Sequence, residues 1–95
     1  MARTLRFIII PKVQHPWFDE VNNGARAQAE ILSRELGVEI VVDYMPPSIC
    51  DIDEQNAILE NAAKSGPNGI AIDPVDVVEH MTAINRVRNQ GIPVI

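Results

Sequence analysis

The chain has 95 residues, a formal net charge of −5 and a sequence pI of about 4.8. That length suggests one domain and is near the lower limit at which a chain can bury a core of its own. The acidic balance, with Lys and Arg few and scattered, excludes nucleic-acid and membrane-surface binding as leading functions. No apolar run approaches the roughly 20 residues that span a bilayer.

Cysteine and histidine give no sign of a metal site. The single cysteine, Cys50, permits no internal disulfide, and we expect it to be an inert residue in a connection. The two histidines, His15 and His80, lack the spacing of a zinc site, and we expect His80 to lie at the surface. Strand-like sequence begins within a few residues of Met1, so no signal peptide is visible. Either the protein is cytosolic, or a leader was removed and a starting Met supplied.

The first predicted elements are a strand over Leu5–Ile10 and a helix over Pro16–Leu36. The strand is apolar apart from Arg6, which is typical of a strand buried on both faces of a parallel sheet. The helix ends before Gly37, and Gly24, which costs roughly 1 kcal/mol inside a helix, indicates a close helix–sheet contact. The predicted apolar face of this helix consists of residues at steps of three and four: Phe18, Val21, Ala25, Ala29, Leu32 and Leu36.

The second strand and helix are predicted over Val38–Asp43 and Ile52–Ser65. Asp51 precedes this helix as an N-cap, and Glu54 three residues on resembles the return carboxylate of a capping box. We expect Glu54, like Asp19 in the first helix, to be mainly solvated.

The third strand, Gly69–Ile72, leads to a third helix that runs from the N-cap Asp76 to about Asn89, and a fourth strand begins over Ile92–Ile95. The predicted apolar face of the third helix consists of Val77, Met81, Ile84 and Val87. The βαβαβαβ pattern predicts an α/β fold in three layers, a parallel sheet of order 2-1-3-4 with helices on both faces.

The last residues predict a truncated domain. The chain stops inside the apolar segment 93–95, whereas chain termini normally lie at exposed, polar positions. We therefore expect the last strand and helix of the sheet to be missing. An uncovered apolar edge predicts marginal stability, or a homo-dimer in which two copies pair through that edge.

Two loops are the candidates for a ligand site. Ligands of open parallel sheets bind outside the carboxyl ends of the strands, where the strand order reverses, and in a 2-1-3-4 order that point lies between strands one and three. The loops are therefore residues 11–18 and 73–76. In the first, Trp17 and Phe18 are adjacent aromatics, and an aromatic face stacks well on the C–H face of a sugar ring. The alternative is a hydrophobic staple that buries both rings in the core.

Polar residues accompany these aromatics. His15 either offers ring nitrogens to a ligand or bonds the nearby backbone, and Lys12 is either solvated or a ligand contact. Asp73 either caps the third helix or, since Asp76 already supplies a cap, is free to accept two hydroxyl hydrogen bonds, which suits a polyol and disfavours an anion. The predicted ligand-binding residues are thus Lys12, His15, Trp17, Phe18 and Asp73.

The sequence lacks the motifs of other functions found on α/β folds. No G-x-G-x-x-G, Walker A or flavodoxin-type phosphate loop follows strand one. Pro11 and Lys12 stand where a receiver domain needs acidic residues, and His15 lacks the D-x-H-x-x-G context of a cobalamin site. No Ser/His/Asp or Cys/His arrangement is apparent. We expect no catalysis, no cofactor and no metal.

Four motifs in order resemble a known family. They are H-P-W-F at residues 15–18, N-G-A at 23–25, G-I-A-I-D-P at 69–74 and G-I-P-V-I at 91–95. At these intervals they are similar to the N-P-F-F, x-G-A, third-strand and I-P-V-I motifs in the first lobe of the type I periplasmic binding proteins of the ribose and galactose type. The resemblance covers essentially the whole chain but only part of a family member.

The resemblance implies a periplasmic, non-catalytic solute-binding protein that closes two lobes on a sugar and docks on an ABC permease. It implies that Trp17, with Phe18 beside it, stacks on the sugar. His15 stands where the family often has an Asn that bonds a hydroxyl, and Asp73 stands where a polar side chain contacts the ligand. The segment around Lys12 is also similar to the branch that binds rhamnose or the autoinducer-2 furanose, in which a Lys reaches the ligand.

Two alternatives remain open. The effector domain of a LacI-type transcription regulator shares this fold, but it requires a DNA-binding helix-turn-helix before strand one, and only four residues precede Leu5. A flavodoxin-like enzyme or cofactor-binding domain is the second alternative.

Overall fold

Three parallel strands alternate with three helices in the computed structural model, which describes residues 3–95. The predicted α/β alternation is confirmed. The elements are β1 Thr4–Ile10, α1 Pro16–Leu36, β2 Glu39–Tyr44, α2 Ile52–Lys64, β3 Gly69–Ile72 and α3 Val77–Asn89.

The sheet has the order β2-β1-β3, with β1 at its centre. The predicted fourth strand is wrong in extent, because only one bridge forms there, between Val94 and Ile70. It lies beside β3, as the order 2-1-3-4 requires, and the Ile95 N–H donates to the Ile70 carbonyl at 3.0 Å. Pro93 has no N–H to donate, which shortens this last ladder.

The hydrophobic core lies between the sheet and the pair of helices α2 and α3, while α1 packs on the other face against β2. This gives the predicted three layers. The core consists of Ile8, Ile10, Leu59, Ala62, Ala63, Ile70, Ala83 and Val87.

The face of the sheet that carries α1 is only half covered. Ile8 and Ile10 are fully buried on the α2 side, but Phe7 on the α1 side is 38% exposed. The prediction that β1 is buried on both faces is therefore wrong for this face. An apolar groove of about 610 Å³ lies there, lined mainly by Leu5, Phe7, Leu32, Val42, Ala71 and Ile95.

Arg6 interrupts the apolar run of β1 because it joins three elements. Its guanidinium donates to the Asp43 carboxylate of β2 at 3.0 Å and to the carbonyl and hydroxyl of Ser65, both at 2.7 Å. Ser65 follows the last residue of α2. One half-exposed arginine thus ties the end of α2 to the two neighbouring strands.

The buried face of α3 differs from the prediction. His80, expected at the surface, is 0% exposed, and Ala83 and Val87 are buried with it, whereas Val77 and Met81 are exposed. The imidazole Nδ1 lies 2.6 Å from the Asn56 Oδ1 of α2, so a neighbouring amide pairs with one nitrogen of the buried ring, while the buried Nε2 has no hydrogen-bond partner within residues 3–95. The face with the small Ala83 turns inward, which lets α3 approach α2 closely.

No helix within residues 3–95 combines the length and the apolar character needed to cross a membrane.

Gly24 within α1 and Gly37 directly after it predict opposite effects on stability. A Cβ at Gly24 would meet no atom within 4 Å, so the close contact expected there is absent, whereas Gly37 has φ +66° at the end of α1. We expect Gly24→Ala to raise the free energy of unfolding by about 0.5–1 kcal/mol, because alanine has less backbone freedom to lose in a helix. Gly37→Ala should lower it by about 1 kcal/mol, because a Cβ strains the left-handed conformation. Urea unfolding of the two variants checks both signs, and a destabilised Gly24→Ala protein would contradict the open environment of that position.

Candidate functional site

The loops after β1 and β3 leave the sheet side by side. Ile10 and Ile72 pair at the ends of these strands, and the Asp73 N–H donates to the Ile10 carbonyl at 3.0 Å. Because both strands are parallel, residues 11–15 and 73–76 begin at the same edge of the sheet. The structure therefore brings together the two loops that the sequence singles out.

His15 begins α1. Its backbone is extended and its Nδ1 accepts a hydrogen bond from the Trp17 N–H at 3.0 Å, with Pro16 at the first helical position. The alternative of a bond to nearby backbone therefore holds for one ring nitrogen. Since Nδ1 accepts, a neutral imidazole carries its proton on Nε2, and the exposed His15 keeps that N–H as a donor.

The two aromatic side chains form an edge-to-face pair. Their ring centroids are 5.0 Å apart at an interplanar angle of 84°. Trp17 is 64% exposed, whereas Phe18 is half-buried. Burial of both rings in the core is thus wrong for Trp17. An exposed indole beside a half-buried ring has a free surface on which an apolar ring face can stack.

Asp73 is not a helix cap. The carboxylate of Asp76 caps α3, accepting from the Glu79 N–H at 3.1 Å. The half-buried Asp73 side chain accepts no hydrogen bond from any group within residues 3–95, so its carboxylate oxygens are available. Lys12 is exposed and makes no ion pair in the same part of the chain.

Asp19 anchors the first loop. It was expected to be solvated, but one of its carboxylate oxygens accepts from the Gln14 Nε2 at 2.8 Å and from the Tyr44 hydroxyl at 3.0 Å. Burial, the hydrogen bond to Asp19 and its negative charge raise the pKa of Tyr44 to about 12. The contact joins the loop, α1 and the end of β2.

Glu54 is likewise not simply solvated. Its carboxylate accepts from the Ser48 N–H at 2.6 Å and from the Ser48 hydroxyl at 2.8 Å. Asp51 is the N-cap of α2, as predicted, and accepts from the Glu54 N–H at 2.8 Å. Glu54 therefore holds the segment between β2 and α2 through Ser48, and it does not accept a hydrogen bond from the N–H of the cap residue Asp51 as a capping box would.

Gln55 is the residue of this region that the sequence analysis missed. It is 0% exposed. Its Nε2 donates to the Pro11 carbonyl at 3.1 Å and to the Asp73 carbonyl at 2.8 Å, and its Oε1 accepts from the Val75 N–H at 2.8 Å. The available signal was its spacing, since it stands four residues before the buried Leu59, on the apolar stripe of α2. A polar side chain on such a stripe indicates a buried group with hydrogen-bond partners.

The large apolar groove is a separate feature from these loops. It lies against the α1 face of the sheet, and its lining contains no charged residue. Charged side chains, Lys12 and Asp73, lie on the loops, whereas the groove offers almost only apolar contacts. Within residues 3–95, no group of three or more His, Cys, Asp or Glu side chains could hold a metal ion.

Comparison with known proteins identifies relatives of this fold. A family model described as a periplasmic binding protein domain matches residues 7–95. The chain is 30% identical to the sugar-binding protein of a sugar ABC transporter from Bacillus halodurans, with a TM-score of 0.75, over 98% of this chain and 30% of that chain. No curated protein sequence matches the chain.

Two further solved structures are similar. One is an ABC transporter solute-binding protein from Burkholderia graminis in complex with D-arabinose, with 26% identity and a TM-score of 0.78 over 100% of this chain and 31% of that chain. The other is a periplasmic ribose ABC transporter protein from Conexibacter woesei, with 25% identity and a TM-score of 0.79 over 98% of this chain and 29% of that chain. The chain thus spans less than a third of the length of these proteins.

The tyrosine–aspartate contact predicts a titration. Tyr44 is the only tyrosine, so tyrosinate absorbance reports its pKa directly. Because the folded pKa of about 12 is above the ordinary value of 10.0, this group stabilises the fold below pH 10, and that contribution is lost as the pH rises from 10 to 12. We expect Asp19→Asn to lower the pKa of Tyr44 towards 10.0, while the exposed neighbour Glu20→Gln leaves it in place. An unchanged titration in the Asp19→Asn protein would exclude this contact in solution.

Proposed function

The chain belongs to the periplasmic binding protein domain family, and from this premise we propose that it forms part of the first lobe of a solute-binding protein that captures a sugar or similar polyol for an ABC transporter. The protein selects and delivers its ligand and catalyses no reaction. The observation that carries this proposal is an exposed indole in the first turn of α1 and an available carboxylate on Asp73, each just beyond the end of one of two adjacent parallel strands. Three relatives whose descriptions name sugars support the same ligand class.

The proposed ligand contacts divide into stacking and hydrogen bonding. The Trp17 indole stacks on the C–H face of the sugar ring, and the edge-to-face contact with Phe18 fixes its orientation. The Asp73 carboxylate accepts hydrogen bonds from two hydroxyls, and the His15 Nε2–H donates to a ring or hydroxyl oxygen. Lys12 provides a further donor at the start of the same loop. An unpaired carboxylate repels anions, so a neutral polyol is favoured over a sugar phosphate or a carboxylic acid.

The two-lobe mechanism explains how such an open half-site can bind tightly. Closure of a second lobe over these loops excludes water and adds hydrogen bonds to the opposite face of the sugar. The closed protein then docks on its permease at the membrane, which places the working protein in the periplasm. The second lobe, the permease and this location are parts of the proposal.

A single lobe should bind sugars only negligibly. The loops contact one face of a ligand, and the entropy lost on binding is not offset by half of the contacts. Titration calorimetry of the 95-residue chain with D-ribose, D-arabinose and L-rhamnose should give no heat of binding at micromolar sugar. Micromolar affinity in this chain would contradict the need for a second lobe.

The site residues are tested in the two-lobed protein expressed from the gene that carries this segment. We expect Trp17→Ala to weaken binding of the cognate sugar about tenfold through lost stacking, and Asp73→Asn to weaken it at least about tenfold through lost charge-assisted hydrogen bonds. Calorimetry over a panel of pentoses and hexoses identifies the cognate sugar and measures both losses.

Matched controls lie away from the loops. Ile31→Ala removes a half-exposed apolar side chain from the middle of α1, and Glu35→Gln removes an exposed carboxylate near its end. Both should bind the sugar like the parent protein. A gene that encodes no second lobe, or a two-lobed protein that binds none of the sugars, would overturn the proposed function.

A further inference from the structure

We propose that Gln55 is a positioning residue for the sugar site, because its buried amide holds the loops after β1 and β3 in one fixed arrangement. This inference deepens the proposed function and rests on it for the consequence in ligand binding. Gln55 itself is fully buried beneath the loops and is not proposed to touch the sugar.

The chemistry of the contacts fixes the orientation of the amide. Both hydrogens of Nε2 are used, one by the Pro11 carbonyl at 3.1 Å and one by the Asp73 carbonyl at 2.8 Å. The Val75 N–H can pair only with an acceptor, which places Oε1 beside it at 2.8 Å. A flipped amide would bring Oε1 against two carbonyls and Nε2 against a donor, so one rotamer satisfies all three backbone groups.

These bonds join segments that are distant in the sequence. Gln55 is separated by 44 residues from Pro11 and by 18 from Asp73, yet both carbonyl oxygens lie within 3.1 Å of its one nitrogen. The strands stop at Ile10 and Ile72, and the last backbone bond between them runs from the Asp73 N–H to the Ile10 carbonyl at 3.0 Å. The Gln55 amide continues the connection beyond this last ladder bond, through the Pro11 and Asp73 carbonyls and the Val75 N–H.

The joined positions are those on which the candidate site depends. Pro11 begins the loop that carries Lys12 and His15 and leads into α1, whose first turn contains Trp17, while Asp73 is itself a candidate ligand contact. A shift of either backbone changes the distance between the indole and the carboxylate. Two groups that must contact one rigid sugar ring tolerate little change of this kind.

Loss of the amide leaves three backbone groups without their partner. Methionine has nearly the length and volume of glutamine but offers no hydrogen bond of comparable strength, so Gln55→Met retains packing and removes the three contacts. The freed carbonyls and N–H then gain water by opening the loops, since unpaired buried groups are costly. Gln55→Asn is the second variant, in which a shorter side chain keeps an amide but cannot span both loops.

The first measurement uses the 95-residue chain. Amide hydrogen exchange at Val75 reports the bond to Oε1, and acrylamide quenching of Trp17, the only tryptophan, reports the first loop. We expect Val75 to exchange about tenfold faster or more in Gln55→Met, with altered quenching of Trp17. The control is Leu59→Ala, a buried core substitution one turn further along α2, compared at a temperature at which both variants are folded.

The second measurement is affinity in the two-lobed protein. Gln55→Met should bind the cognate sugar about tenfold more weakly than the parent, while Leu59→Ala, although destabilised, should bind like the parent once folded. If Gln55→Met does not fold, Gln55→Asn is held to the same expectations.

The outcomes separate this inference from the proposed function. Equal affinity of the parent and the Gln55 variants would overturn the inference while leaving sugar binding intact, as would weaker binding shared equally by Leu59→Ala. If the parent binds no sugar, the proposed function fails, and the positioning role is then decided by Val75 exchange and Trp17 quenching alone. Unchanged exchange and quenching in the Gln55 variants would overturn it.

Discussion

The parallel pairing of β1 with both of its neighbours is the constraint on which the rest of the structure depends. Ile8 pairs with Asp43 of β2 on one side and with Ile70 of β3 on the other. Since all three strands run in one direction, every loop that follows a strand leaves at the same edge, and every helix returns along a face. The candidate site, the buried core under α2 and α3 and the open face beside α1 are all consequences of this one arrangement.

The sequence predicts the elements well because most of their signals are local. Gly37, Asp51 and Asp76 mark ends of helices, and each takes the predicted place. The buried face of α3 is not a local property. Its sequence has apolar residues on two overlapping stripes, and the stripe with His80 and Ala83 turns inward because α2 supplies an amide for the imidazole and room for close approach. The sequence pattern does not reveal this partner, because His80 and Asn56 lie on different helices and meet only when the two helices pack together.

The half-covered face has a similar explanation. Leu5, Phe7 and Ile9 alternate with Ile8 and Ile10 along β1, so the sequence indicates apolar surface on both sides of the sheet. An apolar side chain tends to be buried, but whether it is buried depends on how many helices cover its face of the sheet. Two helices cover one side of the sheet, and α1 alone lies on the other, over β2. The alternation therefore correctly identifies apolar residues on both faces of β1, but it does not predict that those on the α1 side stay partly exposed.

The candidate site shows the same division between residues that a sequence reveals and residues that it conceals. Trp17 and Asp73 are visible because they lie within a few residues of strand ends, where ligands of parallel sheets bind, whereas Gln55 is an ordinary helical residue whose three contacts all go to backbone groups far along the chain. A neutral amide suits this role in the proposed polyol site. A charged side chain at position 55 would add its own field beside the Asp73 carboxylate and would alter the proposed preference for uncharged ligands, whereas an amide joins the loops without adding a charge.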